Sequence, residues 1–110
     1  MNTNIESEIT QLHAEICAGL ADPNRILILY ELAQATRNVT ELSTNLKMSQ
    51  SLVSRHLKIL RERGMVFSNR KGTVIEYSLA DDRLIQALDL LRAVMRDGLA
   101  KRAELVEALA

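Results

Sequence analysis

Gln50, Ser51, Ser54, Arg55 and Lys58 bring a carboxamide, two hydroxyls and two cations into nine consecutive residues. Such groups suit the non-covalent reading of base edges and phosphate oxygens that a major groove presents. Val53, Leu57 and Leu60 are interleaved with them at i, i+4, i+7, the spacing of an apolar stripe facing a core. Ser49 supplies an N-cap, its hydroxyl able to accept from an orphan amide of the first turn. Gly64 supplies a stop, since it enters the left-handed region without a Cβ clash. The pattern predicts one capped helix over about 50–63, apolar on one side and hydrogen-bonding and cationic on the other. An ordinary solvated face more often carries mixed Glu and Lys pairs.

Few other residues are equipped for metal or covalent chemistry. His13 and Cys17 stand four apart, so one helix face holds both. Two such faces meeting across a dimer would offer two thiols and two imidazoles, a thiol, metalloid or redox sensor acting through Cys17. The plainer reading makes Cys17 a small buried hydrophobe and His13 a surface group. With a single cysteine there is no internal disulfide, and a reducing compartment is the expectation. His56 is read as structural or close to the nucleic acid rather than as a ligand. No metal site and no cofactor is expected. There is no nucleophile elbow, phosphate-cradling loop or metal-protease helix motif, and four glycines leave little material for one. The chain is therefore not expected to be an enzyme.

The recognition face needs elements to hold it. Thr3-Asn-Ile-Glu6 has the capping-box pattern. Ile5, Ile9, Leu12, Ile16 and Leu20 then predict a first helix over about 4–19. Asp22-Pro23 places proline at a helix start, where its missing amide does no harm. The second helix runs to about Ala35, apolar around most of its circumference through Ile26, Leu27, Leu29, Tyr30 and Leu32, and is expected to be central and buried. Thr36-Arg-Asn-Val39 reads as a polar connection and Thr40 as the cap of a brief helix containing Leu42 and Leu46. Lys47-Met48 reads as the tight turn into the helix that opens at Ser49. Short helix, tight turn and amphipathic helix is helix-turn-helix organisation.

The period then changes. Met65 to Arg70 is a short apolar-leading run, and Thr73 to Leu79 alternates and is rich in β-branched residues. Lys71-Gly72 is read as the turn between them, giving a β-hairpin wing over about 65–79. Asp81 or Asp82 caps a last helix over about 82–108, with Leu84, Leu88, Leu91 and Met95 at helical spacing. The stripes of the first and last helices predict a homodimer packed through both. The whole is one domain over residues 1–110, mainly α with a small hairpin, in the order α-α-α-α-β-β-α.

Charge supports the placement. The chain has a formal net charge of zero. Residues 37–71, however, hold eight cations against two anions, a net +6, and the remainder holds six against twelve, a net −6. A basic middle in an acidic frame is the electrostatic footprint of a nucleic-acid surface. Residues 1–8 lack the cationic and apolar regions of a signal peptide. No apolar run nears the roughly 18 residues that span a bilayer. A cytoplasmic location without a membrane partner is the expectation.

This element order, together with Leu20-Ala-Asp-Pro-Asn-Arg-Ile-Leu-Ile-Leu29, Ser49-Gln-Ser-Leu-Val-Ser-Arg-His-Leu57 and Lys71-Gly-Thr-Val-Ile-Glu-Tyr77, resembles the ArsR/SmtB family of bacterial winged-helix repressors. The resemblance spans roughly residues 5–100. It implies a homodimer that binds a near-palindromic operator and releases it when a small inducer, often a metal or metalloid ion, binds. In that arrangement Gln50, Ser51, Ser54 and Arg55 reach base edges, with Arg55 able to grip guanine in bidentate fashion. Lys47 and Lys58 hold phosphates, and Arg70 and Lys71 at the wing approach a minor groove or its phosphates. Arg61 and Arg63 are read as either phosphate contacts or solvated surface.

Metal-sensing members place cysteines before the recognition helix, or Asp, His and Glu on the last helix. The corresponding positions here are Arg37-Asn-Val-Thr-Glu-Leu42, without a thiol, and Asp81, Arg83, Val94 and Asp97, without a histidine. Zinc sites favour imidazole or thiolate, so neither family site is intact. Redox-sensing members pair two cysteines in one chain, whereas Cys17 alone leaves only an intersubunit bond or a sulfenate. Two further readings remain open: a winged-helix protein-interaction module, and a toxin–antitoxin or phage-type regulator of another fold, against which the hairpin after Gly64 argues.

Overall fold

A computed structural model describes residues 3–109. The expected Thr3 cap and the residues ahead of it lie outside the described side chains. Helix α1 joins an α-helical stretch Thr3–Leu12, a π-helical turn His13–Cys17 and a closing turn Ala18–Leu20. Helix α2 spans Pro23–Gln34, capped by the Asp22 carboxylate, which accepts from the Asn24 amide at 2.8 Å. Strand β1 is Arg37–Asn38, helix α3 is Val39–Leu46 and helix α4 is Gln50–Glu62. Strands β2 (Val66–Lys71) and β3 (Val74–Leu79) form the hairpin, and helix α5 is Arg83–Leu109.

The architecture is the expected winged helix-turn-helix with one addition. The Thr36–Val39 stretch is not merely a connection, because Arg37 and Asn38 pair antiparallel with Tyr77 and Glu76 and complete a sheet of order β1-β3-β2. A two-residue strand shows no alternation, so only its distant partner defines it. The α3 cap is Asn38 rather than Thr40, which sits inside the helix. Asn38 Oδ1 accepts from the Glu41 amide at 2.8 Å, and Glu41 Oε1 accepts from the Asn38 amide at 2.9 Å, a complete capping box. The hairpin loop is shifted by one residue from expectation. Lys71 is still in strand, paired with Val74, so Gly72 and Thr73 make the turn, with Gly72 at φ +64.

The core joins α2, α3, α4 and the root of the wing. Ile28, Leu29, Leu42, Val53, Leu57, Leu60 and Met65 are fully buried. The expected burial of α2 holds on one side, but Leu27 stays exposed. Between α3 and α4 the chain turns at Lys47, the one non-glycine with positive φ (+56) among the described residues. The Met48 amide donates back to the Ser43 carbonyl at 3.1 Å. Ser49 then caps α4, accepting from the Leu52 amide at 3.2 Å.

Helices α1 and α5 only skirt this core. Leu88 is the one buried residue of α5 among those described, while Leu90, Leu91, Val94, Met95, Leu99, Leu105, Val106 and Leu109 are exposed. Ile5, Ile9 and Leu12 on α1 are exposed as well. The base of α5 is fastened by Tyr30, whose hydroxyl donates to Asp89 Oδ1 at 2.6 Å beneath the Arg92 guanidinium, 5.3 Å from the ring centroid. The overhanging helix raises the radius of gyration to 17.5 Å, against about 13 Å for a compact chain of this length. Among the described residues no helix is long and apolar enough to cross a membrane.

Candidate nucleic-acid interface

Helix α4 divides cleanly. Val53, His56, Leu57 and Leu60 are buried, whereas Gln50, Ser51, Ser54, Arg55 and Lys58 are all exposed. The reason is the sequence spacing: three leucine or valine side chains anchor one side, so the polar positions between them turn outward. Lys47 lies exposed at the turn before α4, and Arg70 and Lys71 at the tip of the wing. The helix-turn-helix and the hairpin thus gather the eight residues singled out from sequence onto the α4 face and its two flanks.

Their electrostatic states differ. Lys47, Arg55, Lys58 and Arg70 carry no ion pair among the described residues, whereas Lys71 Nζ lies 3.6 Å from Glu76 Oε2 across the hairpin. Lys71 is therefore partly neutralised before any ligand arrives. Gln50 Nε2 donates to Thr40 Oγ1 at 3.4 Å, and the Ser51 hydroxyl lies 3.4 Å from that of Ser49. Both contacts are long and exposed, so these groups can exchange them for a ligand at little cost. Ser54 opens onto a notch shared with Asn38, Thr40, Thr73 and Tyr77. Thr40 and Thr73 are polar groups on this face that spacing within α4 could not reveal, because they arrive from α3 and the wing loop.

Behind the outer face, His56 is only 4% exposed. Its Nδ1 lies 3.3 Å from Arg25 Nη1, so Nδ1 is the acceptor and the ring proton sits on Nε2. Nε2 is buried without a partner among the described residues. Burial holds the imidazole below its usual pKa; the nearby Asp22 carboxylate opposes this, and the Arg25 and Arg55 guanidiniums reinforce it. His56 is thus a neutral packing residue that positions α4, in keeping with a structural role.

Arg63, weighed as phosphate contact or solvated surface, is engaged by the protein itself in this fold. It is half-buried, and its Nη1 donates to the Ala14 carbonyl and, at 3.2 Å, to that of Glu15. Arg61 remains exposed. Cys17, read as a buried hydrophobe, is exposed on the π turn of α1, and His13 on the same turn is exposed as well. Helical spacing alone cannot tell a core-facing stripe from one the protomer leaves open.

The last-helix positions are occupied differently from a metal site. Both Asp81 oxygens accept from the Arg83 guanidinium, the shortest contact being 2.7 Å, and the Asp81 carboxylate also caps the helix at the Arg83 amide. These hydrogen bonds hold its pKa down to about 2. Among the described residues no three His, Cys, Asp or Glu side chains gather within reach of one metal ion.

Residues 22–68, from the α2 cap into the first half of β2, match the model of the bacterial regulatory protein, arsR family. The HTH-type transcriptional regulator NmtR of Mycobacterium tuberculosis is 38% identical over 85 residues, covering 77% of this chain and 71% of that protein. The uncharacterized HTH-type transcriptional regulator Rv0081 of the same organism is 36% identical over 107 residues, covering 96% and 94%. Its crystal structure superposes with a TM-score of 0.76 at 33% identity, over 86% of this chain and 96% of that one. The solution structure of Mb0332 from Mycobacterium bovis, a homodimeric winged helix-turn-helix DNA-binding domain, gives a TM-score of 0.75 at 27% identity, over 90% and 91%. On the sequence match, on the shared fold and on the divided helix α4, this chain belongs to the arsR family of bacterial regulatory proteins.

Proposed function

We propose that this chain is a homodimeric, sequence-specific DNA-binding transcriptional repressor of the cytoplasm. The observation that carries the reading is α4, whose buried leucine and valine side fixes an exposed side of Gln50, Ser51, Ser54, Arg55 and Lys58. A two-fold dimer sets two such helices in successive major grooves about 34–36 Å apart. Mb0332 is a homodimeric DNA-binding domain; the open apolar faces of α1 and α5 favour the same assembly here, because a lone protomer would leave them in water. Gln50, Ser51, Ser54 and Arg55 read base edges, Lys47 and Lys58 hold phosphates, and Arg70 and Lys71 engage the minor groove or its backbone. Release by a small inducer belongs to the same reading. The Asp81–Arg83 pair and Val94 argue against a divalent metal at the last-helix position.

The test begins with selection of a binding sequence from random duplexes by the wild-type protein. Arg55→Ala should then lose about 1–3 kcal/mol on that sequence and relax preference at one base pair. A selection that enriches nothing would leave the winged helix as a protein-interaction module instead.

A further inference from the structure

Helix α1 ends in an arrangement that its role as an apolar dimer element does not require. Its π-helical turn His13–Cys17 closes with the Ala18 amide on the His13 carbonyl. Turns of this kind are rare and wider than an α-helical turn, and they recur where function distorts a helix. Two arginines hold the carbonyls here. Arg63, the C-cap residue of α4, donates to Ala14 and Glu15. Arg25, on α2, donates from Nε to Gly19 at 2.8 Å and from Nη2 to Ala18 at 3.3 Å, while its Nη1 meets His56 of α4. Gly19 is buried at this junction, where an added Cβ would lie 2.6 Å from Met65 Sδ and 3.1 Å from Arg63 Cδ. Four carbonyls in the last two turns of α1 are thus tied to the middle and the exit of the recognition helix.

Charge-assisted bonds to a helix C-terminus are strong and directional, and a guanidinium can engage two carbonyls where an ammonium acts as a point charge. On the homodimeric reading, the same helix presents Ile5, Ile9 and Leu12 to its partner. We propose that Arg63 and Arg25 are positioning residues for operator binding, clamping α4 to the end of α1 so that dimer packing fixes the separation of the two recognition helices. Among the described residues of the protomer, Arg63 donates to carbonyls alone, and Arg25 lies in addition 3.9 Å from Asp22 Oδ2.

The experiment uses the full chain and the duplex selected with it, together with variants of that duplex carrying one base pair more or fewer between the half-sites. Each such change displaces a half-site by about 3.4 Å. Wild type should discriminate against altered spacing by about tenfold or more, within the range one wrong base pair produces. Arg63→Gln should shrink that ratio to about threefold or less while leaving the salt slope of binding unchanged. Arg25→Lys, which keeps the cation and loses the fork, should relax spacing in the same way and carries the test where Arg63→Gln does not fold. Undiminished discrimination in the folded variants overturns the proposal. So does a salt slope shallower by about one per Arg63 removed, which would make it a phosphate contact. Failure to select any duplex removes the DNA-binding reading itself and this inference with it, an outcome separate from selection followed by unchanged spacing preference.

Discussion

Lys58→Ala tests the electrostatic half of the interface. Of the residues assigned to phosphate, Lys47, Lys58 and Arg70 are unpaired, and Lys71 already leans on Glu76. Three full contacts per protomer become six per dimer. At about 0.9 per neutralised phosphate, log K should fall with log salt at a slope near −5. Between 50 and 200 mM salt that slope weakens wild type about a thousandfold. Lys58→Ala deletes one contact from each protomer, so its slope should flatten to about −3.5 and its loss over the same range to about a hundredfold. Lys71→Ala should flatten the slope less, because Glu76 has already offset part of its charge. Fluorescence anisotropy on a labelled duplex at four or five salt concentrations measures all three. A Lys58→Ala slope equal to wild type, or a Lys71→Ala effect as large as that of Lys58→Ala, would show that the outer face of α4 does not meet phosphate as argued.

Acid should destabilise the fold through His56. Its folded pKa lies below the unfolded value, so the unfolded chain takes up the proton first and stability falls as pH drops below about 6.5. One such group contributes a slope of at most about 1.4 kcal/mol per pH unit. The groups facing it are Asp22, Arg25 and Arg55, and protonation of Nδ1 would set a second cation against Arg25. Urea melts of wild type and His56→Phe from pH 7.5 to 5 should diverge, and parallel curves would rule the mechanism out. Lys47→Gly should separate stability from binding. Relief of the left-handed φ raises stability by about 1 kcal/mol, while loss of the cation weakens DNA affinity; a fall in both would contradict the turn geometry.

The recognition helix was legible because its determinants are local. Ser49, the Val53–Leu57–Leu60 stripe and Gly64 all act within one element, and the structure gives each the expected place. The α3 cap was legible in principle, since Asn38 and Glu41 stand at capping-box spacing, but the neighbouring Thr40 offered a competing hydroxyl. Strand β1 was not, because two residues acquire strand character only from Tyr77 and Glu76, nearly forty positions away. The π turn escaped for a similar reason. Ile5, Ile9, Leu12, Ile16 and Leu20 fit an α-helix throughout, and the Arg63 bonds to the Ala14 and Glu15 carbonyls come from nearly fifty positions away. Arg63 itself counted toward the basic middle of the chain, yet it is half-buried and donates to the Ala14 and Glu15 carbonyls, so linear charge density overstates what is free to meet a ligand.

The uncovered flank of α5 has a consequence in mass action. A helix with one buried residue among those described gains little from its own protomer, so on the homodimeric reading its ordering is second order in chain concentration. Dilution would then lower the melting temperature and fray the helix, and DNA that engages both recognition helices at once would restore it by linkage. The number of copies in the cell becomes an input in its own right, read by the same equilibrium that any inducer would shift.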